Sequence, residues 1–457
     1  MPVFFRKKIP YNYIFTNQSM SKLIIPLIIE QTLAVSVGMF DTIMISSVGE
    51  AAMSGVSLVD MINQLFIGLF AALGTGGAVI CSQFIGAGDK KRACMSAHQL
   101  YVFVAIFSLA MTAFCMPLRK AIFMRFFGKI EDDVLASAMT YFTITAISFV
   151  FLGVFNGCAA LFRSMGNSKV PMFLSLMVNL VNITGNAVLI YVFRMGVAGA
   201  AISTLFSRIL GAVVITLLIS DKSRMLFINF KQRLRFNGRI LKKILHIGIP
   251  SAFENSLFQF GKLITGGIIS SFGTMHVAAN AVAVNFCSIA CIPGSAMGLA
   301  MLTVVGQCVG AGSEEQTRFF VKWTLKKAYI YNGAINVMLA ASLPLLLKMY
   351  NISGETASLA YELTMIHACF AILIWPVSFS FPNALRASNN VTYTMTVSVL
   401  SMLVFRIAFS YILAYNFGLK TAGVYFAMII DWTVRSIAFI VFYLSGRWRK
   451  RANFRVQ

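Results

Sequence analysis

The sequence predicts an all-α integral membrane protein with twelve transmembrane helices in two parallel six-helix repeats. Three observations support this class. Apolar runs of about twenty residues, the length that crosses a bilayer as a helix, recur along the whole chain. Charged residues make up only 12% of the 457 residues, well below the share in soluble domains. The second half of the chain repeats motifs of the first half at a constant spacing.

The apolar runs define the predicted spans, and Pro, Gly and polar clusters separate them. In order, the spans are residues 23–47, 55–80, 95–117, 137–160, 171–193, 197–219, 247–270, 277–304, 325–347, 357–380, 393–415 and 421–445. Barrel strands alternate in hydrophobicity over about ten residues, whereas these runs are continuous and longer. The residues before the first run are polar and basic, without the apolar core of a signal peptide, so we expect that run to be retained.

The net charge of +23 has the distribution of a membrane protein rather than that of a nucleic-acid-binding protein. Of the 38 Lys and Arg, 27 fall on one predicted face of the membrane, seven on the other and four inside spans. Positive charge is enriched in cytoplasmic connections. The face with 27 is therefore predicted to be cytoplasmic and to hold both termini, and we expect no nucleic-acid partner.

The internal repeat is visible when residues 25–88 are placed on residues 249–312, an alignment that needs no gap. Fourteen of these 64 positions are identical. Pro26 falls on Pro250, and Glu30 falls on Glu254. The turn motif Gln83-x-x-Gly86-Ala87-Gly88 falls on Gln307-x-x-Gly310-Ala311-Gly312.

Six spans per repeat give both halves the same orientation in the membrane, an arrangement that builds one class of secondary transporter with its site between the halves. The predicted division is an amino-terminal lobe of residues 1–220, a basic cytoplasmic linker of 221–246 and a carboxyl-terminal lobe of 247–457. No GxxxxGK[ST] phosphate loop and no nucleophile–His–acid set are apparent in the sequence, so an ion gradient rather than an enzyme activity is expected to supply the energy.

Ionisable residues inside spans are costly, and each is a candidate for function. Asp41 is the strongest candidate, because its repeat equivalent is Thr265 and the carboxylate therefore belongs to one half only. A buried carboxylate can accept a proton near neutral pH or coordinate Na⁺. The polar residues of spans 5 and 6, among them Asn182, Asn186 and Thr204, are expected either to complete an ion site with Asp41 or to form interhelical hydrogen bonds.

A second group of candidates surrounds the repeat-equivalent acids Glu30 and Glu254, which we expect either to bind ion or substrate or to brace the two halves identically. Gln259 and Lys262 continue a polar stripe along span 7. The side chain of Lys262 is expected to pair with Asp41 or Glu254, or to act as a movable counter-charge. Asp60 in span 2 is also a candidate for ion or substrate binding. Asp431 and Arg435 are four residues apart in span 12, a spacing that predicts a local structural ion pair.

The sequence resembles the multidrug and toxic compound extrusion (MATE) family. The resemblance rests on the paired six-span repeats, the first span ending in Phe40-Asp41-Thr42-Ile43-Met44 and the turn Gln83-Phe84-Ile85-Gly86-Ala87-Gly88-Asp89. It implies two six-helix lobes in a V, a bacterial inner membrane, and export of organic, often cationic compounds in exchange for H⁺ or Na⁺.

The resemblance also assigns residues. Asp41 matches the family's first-span acid, and Asn182, Asn186 and Thr204 match the polar groups that work with it. Glu254 matches the family's span-7 acid. Some members carry Asp where this chain has Asn186, and one branch has a span-10 acid that residues 375–390 lack.

The function expected from these observations is secondary active export of drugs or toxins by a monomer. We expect Asp41 to bind the coupling ion, with H⁺ favoured over Na⁺. No cofactor is expected, and no metal other than a possible Na⁺ at Asp41. The alternative is a lipid-linked oligosaccharide flippase of the same superfamily, for which Lys262, Arg406 and Arg208 would provide a cationic cavity. A structural or receptor protein is a third class, which the doubled repeat disfavours.

Overall fold

A computed structural model describes residues 9–10, 13–128, 130–229, 237–348, 350 and 352–452, except for the side chain of Met39. Every regular element in these ranges is helical. The amino-terminal half contains α1 (Asn17–Ser46), α2 (Glu50–Gly86), α3 (Lys90–Phe127), α4 (Asp132–Ile147), α5 (Phe149–Ser164), α6 (Lys169–Asn186) and α7 (Gly196–Ile219).

The carboxyl-terminal half follows the same plan. Its helices are α8 (Gly238–Ser270), α9 (Thr274–Ala290), α10 (Ile292–Gly310), α11 (Glu314–Lys348), α12 (Gly354–Leu373), α13 (Pro382–Ala387), α14 (Val391–Ser401), α15 (Phe409–Tyr411), α16 (Lys420–Leu444) and α17 (Trp448–Ala452). Wider π-helical turns occur at Ala187–Val192, Pro376–Ser380, Met402–Ala408 and Ile412–Asn416.

The helices confirm the predicted all-α membrane class. Ten helices of the described chain are long and apolar enough to cross a bilayer, and there are eleven if α4 and α5, which are bent by 49° at their junction, are counted together as one span. The predicted seventh span lies in α8, which is not among the apolar helices because Glu254, Lys262 and neighbouring amides interrupt it. The predicted eighth span is divided into α9 and α10.

The predicted linker overlaps a helix. Residues 221–229 form turns, bends and irregular chain, whereas residues 238–246 already belong to α8. Residues 230–236 of the predicted linker lie outside the described part of the chain. The division into lobes at 220 and 247 stays a prediction.

The repeat extends to irregular backbone. One π-helical turn ends at Val192, and its counterpart ends at Asn416, the position on which Val192 falls in the repeat alignment. After each turn the chain adopts positive φ twice, at Arg194 and Gly196 in one half and at Gly418 and Lys420 in the other. Both halves therefore leave their fifth span by the same route.

The two halves meet closely where α2 crosses α10. A Cβ at Gly86 would lie 1.9 Å from the Gln307 carbonyl oxygen, and a Cβ at Gly310 would lie 1.9 Å from that of Gln83. Only glycine permits this approach of the two backbones. The side-chain amide of Gln83 donates a hydrogen bond from Nε2 to the Ala387 carbonyl oxygen at 2.9 Å. Because these two glycine contacts are reciprocal, the pseudo-twofold axis that relates the two halves lies at this crossing.

The first helix of each half also packs against the opposite half. The amino-terminal part of α1 joins a buried cluster with α10, including Leu23, Leu27 and Val304. The equivalent part of α8 contributes Ile244 and Ile247 to a cluster with α2. Both contacts lie at the end of the bundle that holds the predicted cytoplasmic connections. The lobes are therefore joined at that end.

Candidate functional site

A cavity of about 460 Å³ occupies the amino-terminal half. Its lining includes Glu30, Asp41, Asn182 and Thr204, four of the residues that the sequence singles out. Apolar side chains of α2, α5 and α6 form much of the remaining wall, as is usual in small-molecule sites.

The predicted ion-site residues contact one another in this cavity. Asn186 Nδ2 donates to Asp41 Oδ1 at 2.7 Å and approaches Asn182 Oδ1 at 3.5 Å. Asn182 Nδ2 in turn donates to Thr204 Oγ1 at 3.1 Å. Asn182 and Asn186 are buried, whereas Asp41 is partly open. The network links α1 to α6 and α7, so a change in charge at Asp41 acts on the packing of three helices.

Asp60 and Arg208 complete the charged groups near Asp41. Asp60 lies within electrostatic range of both Asp41 and Arg208. Arg208 donates to Ser148 Oγ at 2.7 Å, at the bend between α4 and α5. In the sequence, Arg208 stands out as a base within a span but not as part of the ion site. The structure places Arg208 within electrostatic range of both Asp41 and Asp60.

Each repeat contains a buried ion pair between an acid of its first helix and an arginine. Glu30 Oε1 accepts from Arg163 at 2.6 Å, and Glu254 Oε2 lies 2.8 Å from Arg386. Arg163 and Arg386 belong to the 27 charges that the sequence places on the predicted cytoplasmic face, but neither behaves as a solvent-exposed connection charge. Their side chains are only 15% and 14% exposed and point into the bundle.

A second cavity, of about 320 Å³, occupies the carboxyl-terminal half. Glu254, Arg386 and Arg435 line it together with aromatic side chains. Gln31 and Leu299 line both cavities, so the two adjoin at the interface between the halves.

The predicted local pair between Asp431 and Arg435 is wrong. Asp431 instead accepts from Ser401 Oγ at 2.5 Å and lies 4.0 Å from Arg406. Arg435 turns toward Glu254, 3.7 Å away. The helical spacing allows the local pair, but carboxylates and guanidiniums from other helices offer each group a different partner.

The predicted carboxylate partners of Lys262 are also wrong. No carboxylate of the described chain lies within ion-pair distance of Lys262, whose Nζ sits 5.2 Å from the centre of the Phe258 ring. Arg406 lies over the same ring at 5.4 Å. Gln259 lines neither cavity. In the structure, Lys262 therefore forms no ion pair with Asp41 or Glu254, and neither Lys262 nor Gln259 lines one of the two cavities.

The described residues contain no group of three or more His, Cys, Asp or Glu side chains arranged to hold a metal ion. A Na⁺ ion at Asp41 would rely on one or two carboxylates together with amide and hydroxyl oxygens of Asn182 and Thr204. Such oxygen ligands are suited to a hard cation.

A family model described as MatE matches residues 26–188 and again residues 250–412. The chain belongs to the MatE family. Both ends of the second match coincide with the ends of the first in the repeat alignment, since 26 falls on 250 and 188 falls on 412. The family assignment by resemblance is confirmed, and the two-repeat architecture is consistent with it.

Similar proteins cover nearly the whole length of this MatE-family chain. The probable multidrug resistance protein NorM of Thermotoga maritima is 25% identical over 443 residues, which are 95% of this chain and 94% of the relative. A solved outward-facing MATE family transporter of the MOP superfamily has a TM-score of 0.87 at 20% identity, over 95% of this chain and 96% of its own. A MOP superfamily transporter from Pyrococcus furiosus has a TM-score of 0.86 at 20% identity, with 96% and 97% covered.

These findings settle the class of the protein. Members of the MatE family are transporters rather than enzymes, and this chain has their fold over nearly its whole length. It is therefore a multi-pass membrane transporter.

Proposed function

We propose that this MatE-family transporter exports organic compounds, including cationic ones, across the bacterial inner membrane in exchange for H⁺ bound at Asp41. Both termini face the cytoplasm, and the monomer is the working unit. The relatives described as multidrug resistance proteins support efflux. The observation that carries the coupling role is the contact of Asp41 with Asn186 in a cavity shared with Glu30, Asn182 and Thr204.

Charge supports a cation as the coupling ion. The acids and arginines in and next to this cavity are three carboxylates, Glu30, Asp41 and Asp60, and two guanidiniums, Arg163 and Arg208. Among these five groups the carboxylates outnumber the guanidiniums by one, and in a low-dielectric site the extra negative charge favours the binding of one H⁺ or Na⁺. We favour H⁺ because Asn186, the nearest amide, presents its NH₂ group rather than its oxygen to Asp41.

The path of α1 suggests how ion binding is coupled to transport. The outer part of α1 carries Asp41 and contacts α6 through Asn186. The inner part of the same helix packs against α10 of the other half. Protonation of Asp41 replaces a charged hydrogen-bond acceptor by a neutral one and weakens its bond to Asn186. A resulting shift of α1 is transmitted along a continuous helix to the junction of the lobes, which favours the alternate arrangement.

Ethidium efflux from cells that lack their own pumps tests this function. We expect efflux to stop with a proton uncoupler and to ignore a Na⁺ pulse. Asp41→Asn should reduce efflux by at least tenfold at normal membrane expression, because a neutral amide cannot bind the coupling proton. Asp221→Asn is the matched control, since Asp221 is an exposed acid paired with Arg224 at 3.5 Å.

The other outcomes discriminate between alternatives. Stimulation of efflux by Na⁺ would indicate that Na⁺, and not H⁺, is the coupling ion at the same site. Full activity of the Asp41→Asn variant would refute the coupling role. Absence of dye movement in the wild type, together with a polysaccharide defect on gene deletion, would instead support the flippase.

A further inference from the structure

Three charged side chains inside the membrane belong to the amino-terminal half and have no charged counterpart in the repeat. Asp41 of α1, Asp60 of α2 and Arg208 of α7 lie within electrostatic range of one another. The gapless repeat alignment places neutral side chains at the three equivalent positions, namely Thr265, Val284 and Trp432. Charges inside a membrane are costly. The presence of all three in one repeat and of none in the other indicates that they act as a unit.

The net charge of this unit is one negative charge. Two carboxylates, Asp41 and Asp60, share the single guanidinium of Arg208, which stays protonated in proteins. Tyr141 of α4 lies in range of all three groups, and a phenol is neutral near pH 7. Glu30 and Arg163, in the same cavity, neutralise each other at 2.6 Å. One proton therefore makes the unit neutral, and a second would make it positive.

The amides beside the two carboxylates add hydrogen bonds but no charge. Asn186 presents Nδ2 to Asp41 at 2.7 Å, and Asn63 interacts with Asp60 from the next turn of α2. In the described chain the Oδ1 of each amide is buried without a donor. Rotation of either amide therefore breaks no bond to its oxygen, and the oxygen can then accept from a protonated carboxyl group. The amides suit both charge states, so Asp60 and Arg208 decide how strongly Asp41 attracts a proton.

Arg208 is anchored where its charge acts on both acids. Its guanidinium donates to Ser148 Oγ at 2.7 Å, at the bend between α4 and α5. Arg208 and Asp41 line the cavity, whereas Asp60 is not among the lining residues. A proton that enters through the cavity therefore meets Asp41, while Asp60 acts through its charge. One positive charge can neutralise only one of the two acids, which leaves the other able to bind the proton.

We propose that Asp60 and Arg208 are positioning residues that set the charge of the Asp41 site, so that it binds a single proton shared by the two carboxylates. The inference rests on the proposed coupling role of Asp41 and assigns it two partners on other helices. Without Asp60, Arg208 would neutralise Asp41, and the site would have no net charge to attract a proton. Without Arg208, two negative charges would hold the proton too tightly for release.

An infrared pH titration of the purified full-length protein in lipid nanodiscs tests the proposal. A protonated carboxyl group has a carbonyl stretch that a carboxylate lacks. Subtraction of the spectrum of the same protein carrying Asp41→Asn isolates the signal of this site. Asp60→Asn should move the midpoint of this signal by about one pH unit or more to lower pH, because it removes a neighbouring negative charge. Asp60→Glu keeps the charge and should leave the midpoint close to that of the wild type.

Charge compensation provides a second test. Arg208→Gln should move the midpoint in the opposite direction, to higher pH. The double variant Asp60→Asn/Arg208→Gln again has one net negative charge, so its midpoint should return toward the wild-type value. A packing defect would not be repaired by the second substitution. Glu50→Gln, which changes an exposed acid at the start of the same helix α2, is the control and should cause no shift.

Three results would overturn the proposal: an unchanged midpoint in a folded Asp60→Asn variant, shifts in the same direction for Asp60→Asn and Arg208→Gln, or no titrating signal from Asp41 in the wild type. The two Asp60 variants remain decisive if loss of the Ser148 contact unfolds Arg208→Gln. The titration uses neither a substrate nor an ion gradient. Failure of ethidium efflux would therefore refute the export function and leave this result standing.

Discussion

At the scale of single residues, the repeat places an acid and an arginine together twice but does not make the two pairs equal. Glu30 has one guanidinium neighbour, Arg163. Glu254 lies between Arg386 and Arg435, at 2.8 and 3.7 Å. A buried charge that loses its partner is strongly destabilised. Both acids therefore pair with a buried guanidinium, and Glu254 lies near two of them.

Glu254→Gln should destabilise the protein more than Glu30→Gln, because it leaves two buried guanidiniums without a carboxylate instead of one. Removal of one partner of a buried pair costs about 3–5 kcal/mol. Thermal unfolding of the detergent-purified variants, followed by the loss of monodisperse protein, measures the order. Glu314→Gln is the control. Glu314 forms half-exposed pairs with Arg318 and Arg449, and such a surface pair contributes about 0–1 kcal/mol. Equal shifts for both buried acids would contradict the asymmetry.

The sequence predicts the acids of these pairs but not their partners. Glu30 and Glu254 stand out because an acid within an apolar run is rare and because both follow a Pro by four residues. Arg163 and Arg386 lie at span ends, where arginine usually marks the cytoplasmic face. In the gapless repeat alignment Arg163 falls on Ala387, one position past Arg386, so the two arginines are not paired. Allowing a one-position offset would have revealed the match.

At the scale of helices, the ends of α2 and α10 determine how closely the two halves approach. Gly86 and Gly310 each face the backbone of the other helix, at Gln307 and Gln83 respectively. The Gln307 side chain also donates to the Ser164 carbonyl at 2.8 Å, at the end of α5. The Gly-Ala-Gly motifs are thus turns whose first glycine allows a helix crossing, in agreement with the absence of a phosphate-binding loop from the sequence.

Gly86→Ala and Gly310→Ala should each disrupt this crossing, because the added methyl group would lie 1.9 Å from a carbonyl oxygen. We expect each variant to lose at least tenfold of its ethidium efflux, with lower thermal stability. Gly266→Ala in α8 is the control, since a Cβ there meets nothing within 4 Å. Wild-type efflux in both junction variants would show that the helices separate at little cost.

Helix boundaries are harder to predict from this sequence than the number of spans. Hydropathy averages over about twenty residues and does not detect the bend at Ser148 or the break at Cys291 between α9 and α10. The π-helical turn after Asn186 is likewise set by packing and not by apolar periodicity. The network around Asp41 could be predicted because its members are polar residues in otherwise apolar helices. Such residues have few possible hydrogen-bond partners other than one another.

At the scale of the whole molecule, two cavities of opposite charge balance adjoin a single junction. With Asp60 beside it, the amino-terminal cavity has one more carboxylate than guanidiniums, and the carboxyl-terminal cavity is lined by two guanidiniums and one carboxylate. The junction connects them through α2, α10 and the inner parts of α1 and α8. We expect these contacts to separate when either cavity opens to the junction side of the membrane. Alternating access would then include opening of the junction.

A disulfide across the junction should arrest transport reversibly. A Cβ at Gly306 of α10 would lie 2.8 Å from Cβ of Ser82 in α2, and a small adjustment brings this to the roughly 3.5–4.5 Å of a disulfide. We expect the Ser82→Cys/Gly306→Cys variant to lose ethidium efflux on oxidation with copper phenanthroline and to regain it with dithiothreitol. Comparison of the oxidised and reduced states of this one variant cancels any packing defect caused by Cys at 306. The single variants test whether native cysteines respond to the oxidant. Undiminished efflux by a fully cross-linked protein would mean that the halves stay in contact at α2 and α10 throughout the cycle, and that access changes by movement of α1 and α8 alone.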